Sequence, residues 1–274
     1  MGAVTHTAPA PSPAELAAAV PGLAEYLRPA TLLNPYAAQP VPGASGIGGP
    51  ALWAVGAPWP HCTARHPEDE YLIPRSAPVP PTVPTALITL AHLRAEDAPH
   101  LPWPEGTDLL QVLWCPNDHD DIQGERFYYG PAVELHWHRA ADLAPATPPP
   151  PRCSQEDYYL PQPCALRPEQ VLDLPDRDEL QEELAHAVRE FAARQGIEYQ
   201  RDHGRADGWK LGGWPSWHST DLVPIDCGRC GERMNHLLTV ESGGDPGLCV
   251  GRHGELQVFV CPVDVAHPVG LDLQ

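Results

Sequence analysis

Apolar residues in this chain come in short runs, cut by proline, glycine and acidic stretches. Ala86–Leu93 and Leu109–Trp114 are continuous apolar runs of strand length, bounded by turn residues, which predicts buried strands. Pro102-Trp103-Pro104-Glu105-Gly106 supplies the turn between them. Val133-Glu-Leu-His-Trp-His138 alternates, which predicts a half-exposed strand with Val133, Leu135 and Trp137 inward. His236–Val240 and the run opening at Glu255 have the same strand-like character. The period changes over Asp176–Gln195, where Leu180, Leu184, Val188 and Phe191 share a helical face. Asp176 or Asp178 can cap that helix and Gly196 stops it. Ser12-Pro13-Ala14-Glu15 is a capping box opening a short helix to about Val20. Pro21-Gly22 breaks it, and Leu23–Arg28 offers a further turn before Pro29. Many short strands and few helices predict an α+β protein, mainly antiparallel β.

The runs also match one another. Leu110-Gln111-Val112-x-x-Cys115-Pro116-x-Asp118 recurs as Leu256-Gln257-Val258-x-x-Cys261-Pro262-x-Asp264. Ile47–Trp53 parallels Leu211–Trp217, Cys62 falls near the place of Cys227, and Ala86–Leu90 matches His236–Val240. Matches in one order imply an internal duplication: two homologous halves around a shared core. The expected divisions are 1–44 (tail and short helix), 45–147 (first repeat), 148–196 (proline-rich linker and amphipathic helix) and 197–274 (second repeat). Residues 40–84 are dense in Gly and Pro and read as loop, and Pro148–Pro151 reads as a stiff spacer.

Charge narrows the partners. Lys plus Arg total 17 against 36 Asp plus Glu, a formal charge of −19. That excludes phosphate-backbone and anionic-membrane binding, which need basic surfaces, and leaves a protein with a cationic surface as the compatible partner. No apolar run approaches a membrane span, and residues 1–6 lack the basic and apolar regions of a secretory signal. The expectation is a cytoplasmic protein whose eight cysteines are thiols or metal ligands rather than disulfides.

Cys227-x-x-Cys230, with glycines beside both thiols, is the strongest chemical signal, because two thiolates at this spacing can hold one Zn²⁺. Cys261 is the natural third ligand; Asp264, His267, His253 and Cys249 are the candidates for the fourth. Free buried thiols and a redox pair are the alternatives, the latter disfavoured because a strand-like run follows the knuckle. The first half has Cys115 and a lone Cys62, so metal is expected only in the second half. Gly48-Gly49-Pro50 and Gly212-Gly213-Trp214-Pro215 lack a phosphate-loop pattern and read as structural turns. Tryptophans cluster near them. Core packing is their first duty, with Trp53, Trp59, Trp214 and Trp217 as candidates for a peptide groove. His136 and His138 share a strand face with Glu134, which could serve metal binding or acid–base chemistry but more plainly reads as an exposed polar face. His119 reads as a solvated turn residue, and no catalytic or cofactor-binding motif is present.

Lys210-x-Gly-Gly-Trp-Pro-x-Trp, Cys-x-x-Cys-Gly, Met234-x-His-Leu-Leu-Thr and Val258-Phe-Val-Cys-Pro262 together resemble the YwqG-like family, a bacterial domain of unknown function, in its actinobacterial form. Trp59-Pro-x-Cys62, Leu101–Pro116 and Tyr159–Glu169 extend the resemblance to roughly residues 45–265. More distantly, that family is similar to the eukaryotic programmed-cell-death-two family, whose members escort a newly made ribosomal protein. The resemblance implies a β-rich duplicated fold and a non-enzymatic protein-binding role. Actinobacterial relatives commonly carry a second Cys-x-x-Cys after the last strand; here Asp264 replaces its second cysteine. The expected function is an acidic protein-binding or escort module with zinc as a candidate stabiliser. Its rival is a metal-assisted hydrolase using the cysteine cluster or the His136/His138 face.

Overall fold

Two six-stranded sheets take up the apolar runs, and every strand pair in them is antiparallel. The computed structural model describes residues 10–64, 66, 84–120, 128–146, 157–203, 208–217 and 220–274; the proline run 148–151 lies outside them. In the first sheet Arg28–Leu32 (β1) lies between Glu169–Asp173 (β12) and Lys210–Gly212 (β13). Asn235–Glu241 (β14), Glu255–Val260 (β15) and Gly270–Leu273 (β16) follow outward. The second sheet runs Tyr36–Ala37 (β2), Cys164–Ala165 (β11), Gly46–Ile47 (β3), Ile88–Arg94 (β7), Leu109–His119 (β8) and Gly130–His138 (β9). Two small ribbons pair Leu52–Ala54 (β4) with Leu143–Pro145 (β10), and His61–Cys62 (β5) with Thr85–Ala86 (β6). The class is α+β and mainly antiparallel β. The stretches expected as tail and linker supply β1 and β12 to one sheet and β2 and β11 to the other.

Register explains the repeated motif. In β8, Leu110, Val112 and Trp114 face the main core, while Leu113 and Cys115 face a separate cluster with Trp53 and Trp59. In β15, Leu256, Val258 and Val260 face the same main core, while Phe259, and Cys261 just past the strand's end, face a cluster with Trp217. Both sheets thus share one core, and period-two geometry sends alternate residues to its far side. β8 is accordingly buried along its whole length, covered on both faces. The glutamine between Leu and Val is buried in each case and tied to the glycine-rich loop. Gln111 Nε2 donates to the Leu52 carbonyl, and Gln257 Nε2 donates to Ser216 Oγ.

The registers on the two sheets also agree. Ile47 faces Ala91 and Leu211 faces Leu238; Ala91 and Leu238 face Val112 and Val258, each beside a bulge. His236 therefore corresponds to Thr89, because these face Phe259 and Leu113. The expected match of Ala86 to His236 was out by three residues, since a bulge sets the register and the apolar letters do not reveal it.

The helices pack apart from the sheets' main core. Pro13–Ala19 (α1) starts with the expected capping box at Ser12 and Glu15. The helix expected from Asp176 starts later, as Glu182–Gln195 (α2), and ends at Gly196 in the left-handed region. Asp176 caps a separate 3₁₀ turn, Arg177–Glu179, whose following residue Leu180 is extended and interrupts the helical ladder. Leu180, Leu184, Val188 and Phe191 do share one cluster, with Leu16, Val20 and Leu23. A last short turn, Tyr199–Asp202 (α3), leads to the second Gly-Gly segment.

Candidate functional site

Lys210 and Asp173 build the first part of the site. β13 ends at Gly212 beside the Asp173 end of β1's other neighbour, so a lysine and an aspartate 37 positions apart meet where both are only 2% exposed. The Lys210 Nζ lies 2.8 Å from Asp173 Oδ2 and also donates to the Trp214 carbonyl at 2.7 Å. Asp173 Oδ2 in turn accepts the Trp214 N–H at 2.8 Å. The backbone of Trp214 is thus clasped at both polar groups. Gly213, at φ +69°, makes the approach possible, because a Cβ there would strike the Asp173 carboxylate. The indole stacks on Tyr26, donates to the Tyr26 carbonyl at 2.8 Å and lies beneath the Arg28 guanidinium, 3.3 Å from the ring centre.

Beyond this clasp opens a small cleft of about 70 Å³. Arg28, Glu179, Trp214 and Trp217 form part of its wall; Val223, Ile225, Met234 and Phe259 give it apolar lining. Trp217 Nε1 donates to Glu179 at 3.1 Å. His236 also lines the cleft, its Nδ1 2.8 Å from the Gly212 carbonyl. Full burial, then the charge of Lys210, hold its pKa down at about 3, so it is neutral near pH 7. Trp214 and Trp217 therefore share one cavity, as the groove reading requires. Trp217 itself is buried, packing with Ile225, Met234, Phe259 and two of the cysteines.

The cysteine knuckle forms the far side of that cluster. Cys227, Cys230, Cys261 and His267 present donor atoms all within 4.8 Å of one another, an arrangement that can hold a metal ion. Cys230 and Cys261 have Sγ atoms 3.5 Å apart, and His267 Nδ1 lies 3.4 Å from Cys227 Sγ. Burial works against charging Cys227. The N–H groups of Arg229 and Cys230, with the Cys230 and His267 side chains, outweigh it and bring its pKa down to about 6. Of the residues weighed for the fourth place, His267 joins the group. Asp264 does not: its side chain is 54% exposed and accepts from the Ala266 N–H, with Oδ2 3.8 Å from His267 Nε2. A carboxylate there orients the imidazole instead of ligating. His253 and Cys249 fall outside the group.

The first half supplies the larger correction. Cys62, His66, Cys115 and His119 form a second group that can hold a metal ion, so the expectation of metal in the second half alone does not stand. His119 is buried at the end of β8, not solvated in a turn, because the strand runs on past Trp114. His66 was missed altogether. Its signal was present as a repeated spacing, Cys62-x-x-x-His66 and Cys115-x-x-x-His119. No disulfide joins the described cysteines.

Trp53 and Trp59 lie in van der Waals contact, tilted at 5.2 Å between ring centres, and cover Leu87, Leu113 and Cys115. Trp59 Nε1 donates to the Leu87 carbonyl. Glu134 pairs with His136 at 3.0 Å, and the His136 and His138 rings stack against each other beside Trp53. Among the described residues these three join no metal-holding group. No described helix is long and apolar enough to cross a membrane. The sequence matches no known protein-family model and no curated protein.

Proposed function

We propose that this chain is a YwqG-like, non-enzymatic protein-binding or escort module whose cleft at Trp214 and Trp217 receives a segment of a basic partner. The observation that carries the reading is the cleft itself: two tryptophans and an apolar floor, held by a buried ion pair that has no other evident task. Tryptophan offers large contact area at low entropic cost, which suits peptide capture. The chain's charge of −19 supports a cationic partner drawn in over distance. Exposed Asp178, Glu182 and Glu183 flank Glu179 of the cleft wall in sequence. Two homologous halves descended from a duplication account for the shared register, and a zinc ion in the second-half knuckle would brace the cleft floor, since Cys227 and Cys261 pack in its cluster. When bound, that ion supplies cross-linking of the knuckle to the end of β15.

An immobilised peptide library of graded charge tests the function. Basic peptides with an apolar anchor should bind, more weakly as salt rises, because exposed charge is screened over about 8 Å at physiological ionic strength. Val223→Asp, at the 44%-exposed lip of the cleft, should abolish that binding while leaving the fold intact. Binding unaffected by Val223→Asp, or no peptide bound at all, would overturn the reading. For zinc, metal analysis of protein purified without chelator, beside a Cys230→Ser variant, should show an equivalent that the variant lacks.

A further inference from the structure

The group at Cys62, His66, Cys115 and His119 lies apart from the cleft, and neither thiol belongs to the cluster around Trp217. Cys62 closes β5, His66 follows it, and Cys115 and His119 project from β8. Cys62 Sγ is 3.3 Å from His119 Nε2 and 3.8 Å from His66 Nε2, while Cys115 Sγ is 3.3 Å from His66 Nε2. Around a tetrahedral zinc, with Zn–S about 2.3 Å and Zn–N about 2.0–2.1 Å, neighbouring sulfur and nitrogen donors stand about 3.5 Å apart. A thiol–imidazole hydrogen bond explains any one of these contacts. It does not explain four donors all within 4.8 Å of each other, which is the signature of a common centre.

The surroundings agree. His119 Nδ1 is 3.2 Å from the Gly130 carbonyl, so Nδ1 carries the proton and the Nε2 lone pair faces the thiols, the orientation a ligating histidine needs. The Asn117 amide nitrogen donates to Cys115 Sγ at 3.7 Å. Charge decides between the two groups. Zn²⁺ with two thiolates and two neutral imidazoles is neutral overall, which a site with His66, Cys115 and His119 all buried can accommodate. Three thiolates and one imidazole leave a net negative centre, and that set sits where Cys230 is exposed.

We propose that Cys62, His66, Cys115 and His119 form a second, independent site for a zinc-class divalent cation, less open to solvent and slower to exchange than the second-half knuckle. It binds through both sulfurs and the Nε2 atoms of both imidazoles, and it does not require the knuckle to hold metal.

The test is metal analysis of the full chain purified without chelator. His119→Ala should lose one zinc equivalent that Cys230→Ser keeps, and a brief chelator pulse on the wild type should remove the knuckle's equivalent first. His119→Cys, which restores a ligand, should keep the metal. After cobalt replacement it should also strengthen the sulfur-to-metal absorption, a readout independent of whether His119→Ala folds. Metal content unchanged by His119→Ala, or a His119→Cys cobalt spectrum identical to wild type, overturns the proposal. Loss in Cys230→Ser alone overturns this site and leaves the knuckle; loss in His119→Ala alone does the reverse. Absence of metal from the wild type overturns both.

Discussion

Lys210→Met would leave the Asp173 carboxylate buried with one N–H donor, that of Trp214, and would strip the Trp214 carbonyl of its own partner. Both charged side chains are 2% exposed, so water cannot replace the ammonium without rearrangement. Removing one member of such a pair costs about 3–5 kcal/mol, because the remaining charge stays desolvated. For a chain of this size each kcal/mol lowers the melting temperature by about 2–4 °C, giving a fall of roughly 6–20 °C. Relative to Lys210→Met, the double variant Lys210→Met/Asp173→Leu removes the stranded carboxylate and adds only an unpaired Trp214 N–H, which costs about 1–3 kcal/mol. It should therefore be more stable than Lys210→Met alone. Urea unfolding followed by tryptophan fluorescence and by circular dichroism measures all three. A single variant within about 1 kcal/mol of wild type, or a double variant showing the sum of the single losses, would refute the clasp as described.

Gly213→Ala should destabilise by about 1–3 kcal/mol in the same assay, since φ +69° and the Asp173 carboxylate both oppose a Cβ. Stability should also fall as the medium is acidified below about pH 6.5. Burial holds His92 down at about 4 and His236 at about 3, from an ordinary 6.5, so the unfolded chain takes up protons in that window and the folded chain does not. The slope is at most about 1.4 kcal/mol per pH unit for each histidine, and His236→Gln should lack one share of it. Exhaustive chelation should lower the melting temperature, with restoration on adding Zn²⁺, because structural metal binding is coupled to folding; a melt indifferent to chelator would count against both metal sites.

Pattern alone reached the strands. Their apolar runs and alternation are local properties, and β8 and β9 contain the stretches expected at 109–114 and 133–138. Contacts between distant segments were less legible. Asp173 gave no sign of being the partner of Lys210, because that meeting depends on β12 and β13 flanking β1. β1 itself begins Arg28-Pro29, at the expected break before Pro29; a proline is tolerated there because it lies at the start of the strand, outside the Ala30–Leu32 stretch that pairs with β13. The Cys-x-x-x-His pairs were visible as letters, yet His119 had been assigned to a turn within an acidic stretch. Only the continuation of β8 beyond Trp114 puts it inside.

The two halves share a strand plan but differ where function is proposed, and the difference can be traced to single residues. Leu87 N–H bonds to the Pro60 carbonyl and Met234 N–H to the Ile225 carbonyl, so these pairs occupy corresponding places. In the first half the Trp59 indole folds over that position, donating to the Leu87 carbonyl and packing on Trp53 and Leu113. In the second half the place of Trp59 is taken by Pro224, with Val223 beside it at the lip, and Met234 is left lining the cleft. An indole exceeds a proline ring by most of an aromatic ring system, which is enough to close one cavity and leave its counterpart open. The first half thus packs its half-buried Trp53 and Trp59 against each other over Leu113, and the second sets Trp214 and Trp217 in the wall of a cleft. On this argument Val223→Trp should close the cleft, abolish peptide capture and stabilise the fold by filling the cavity. If that variant bound basic peptides as wild type does, the open cleft would not be the binding surface.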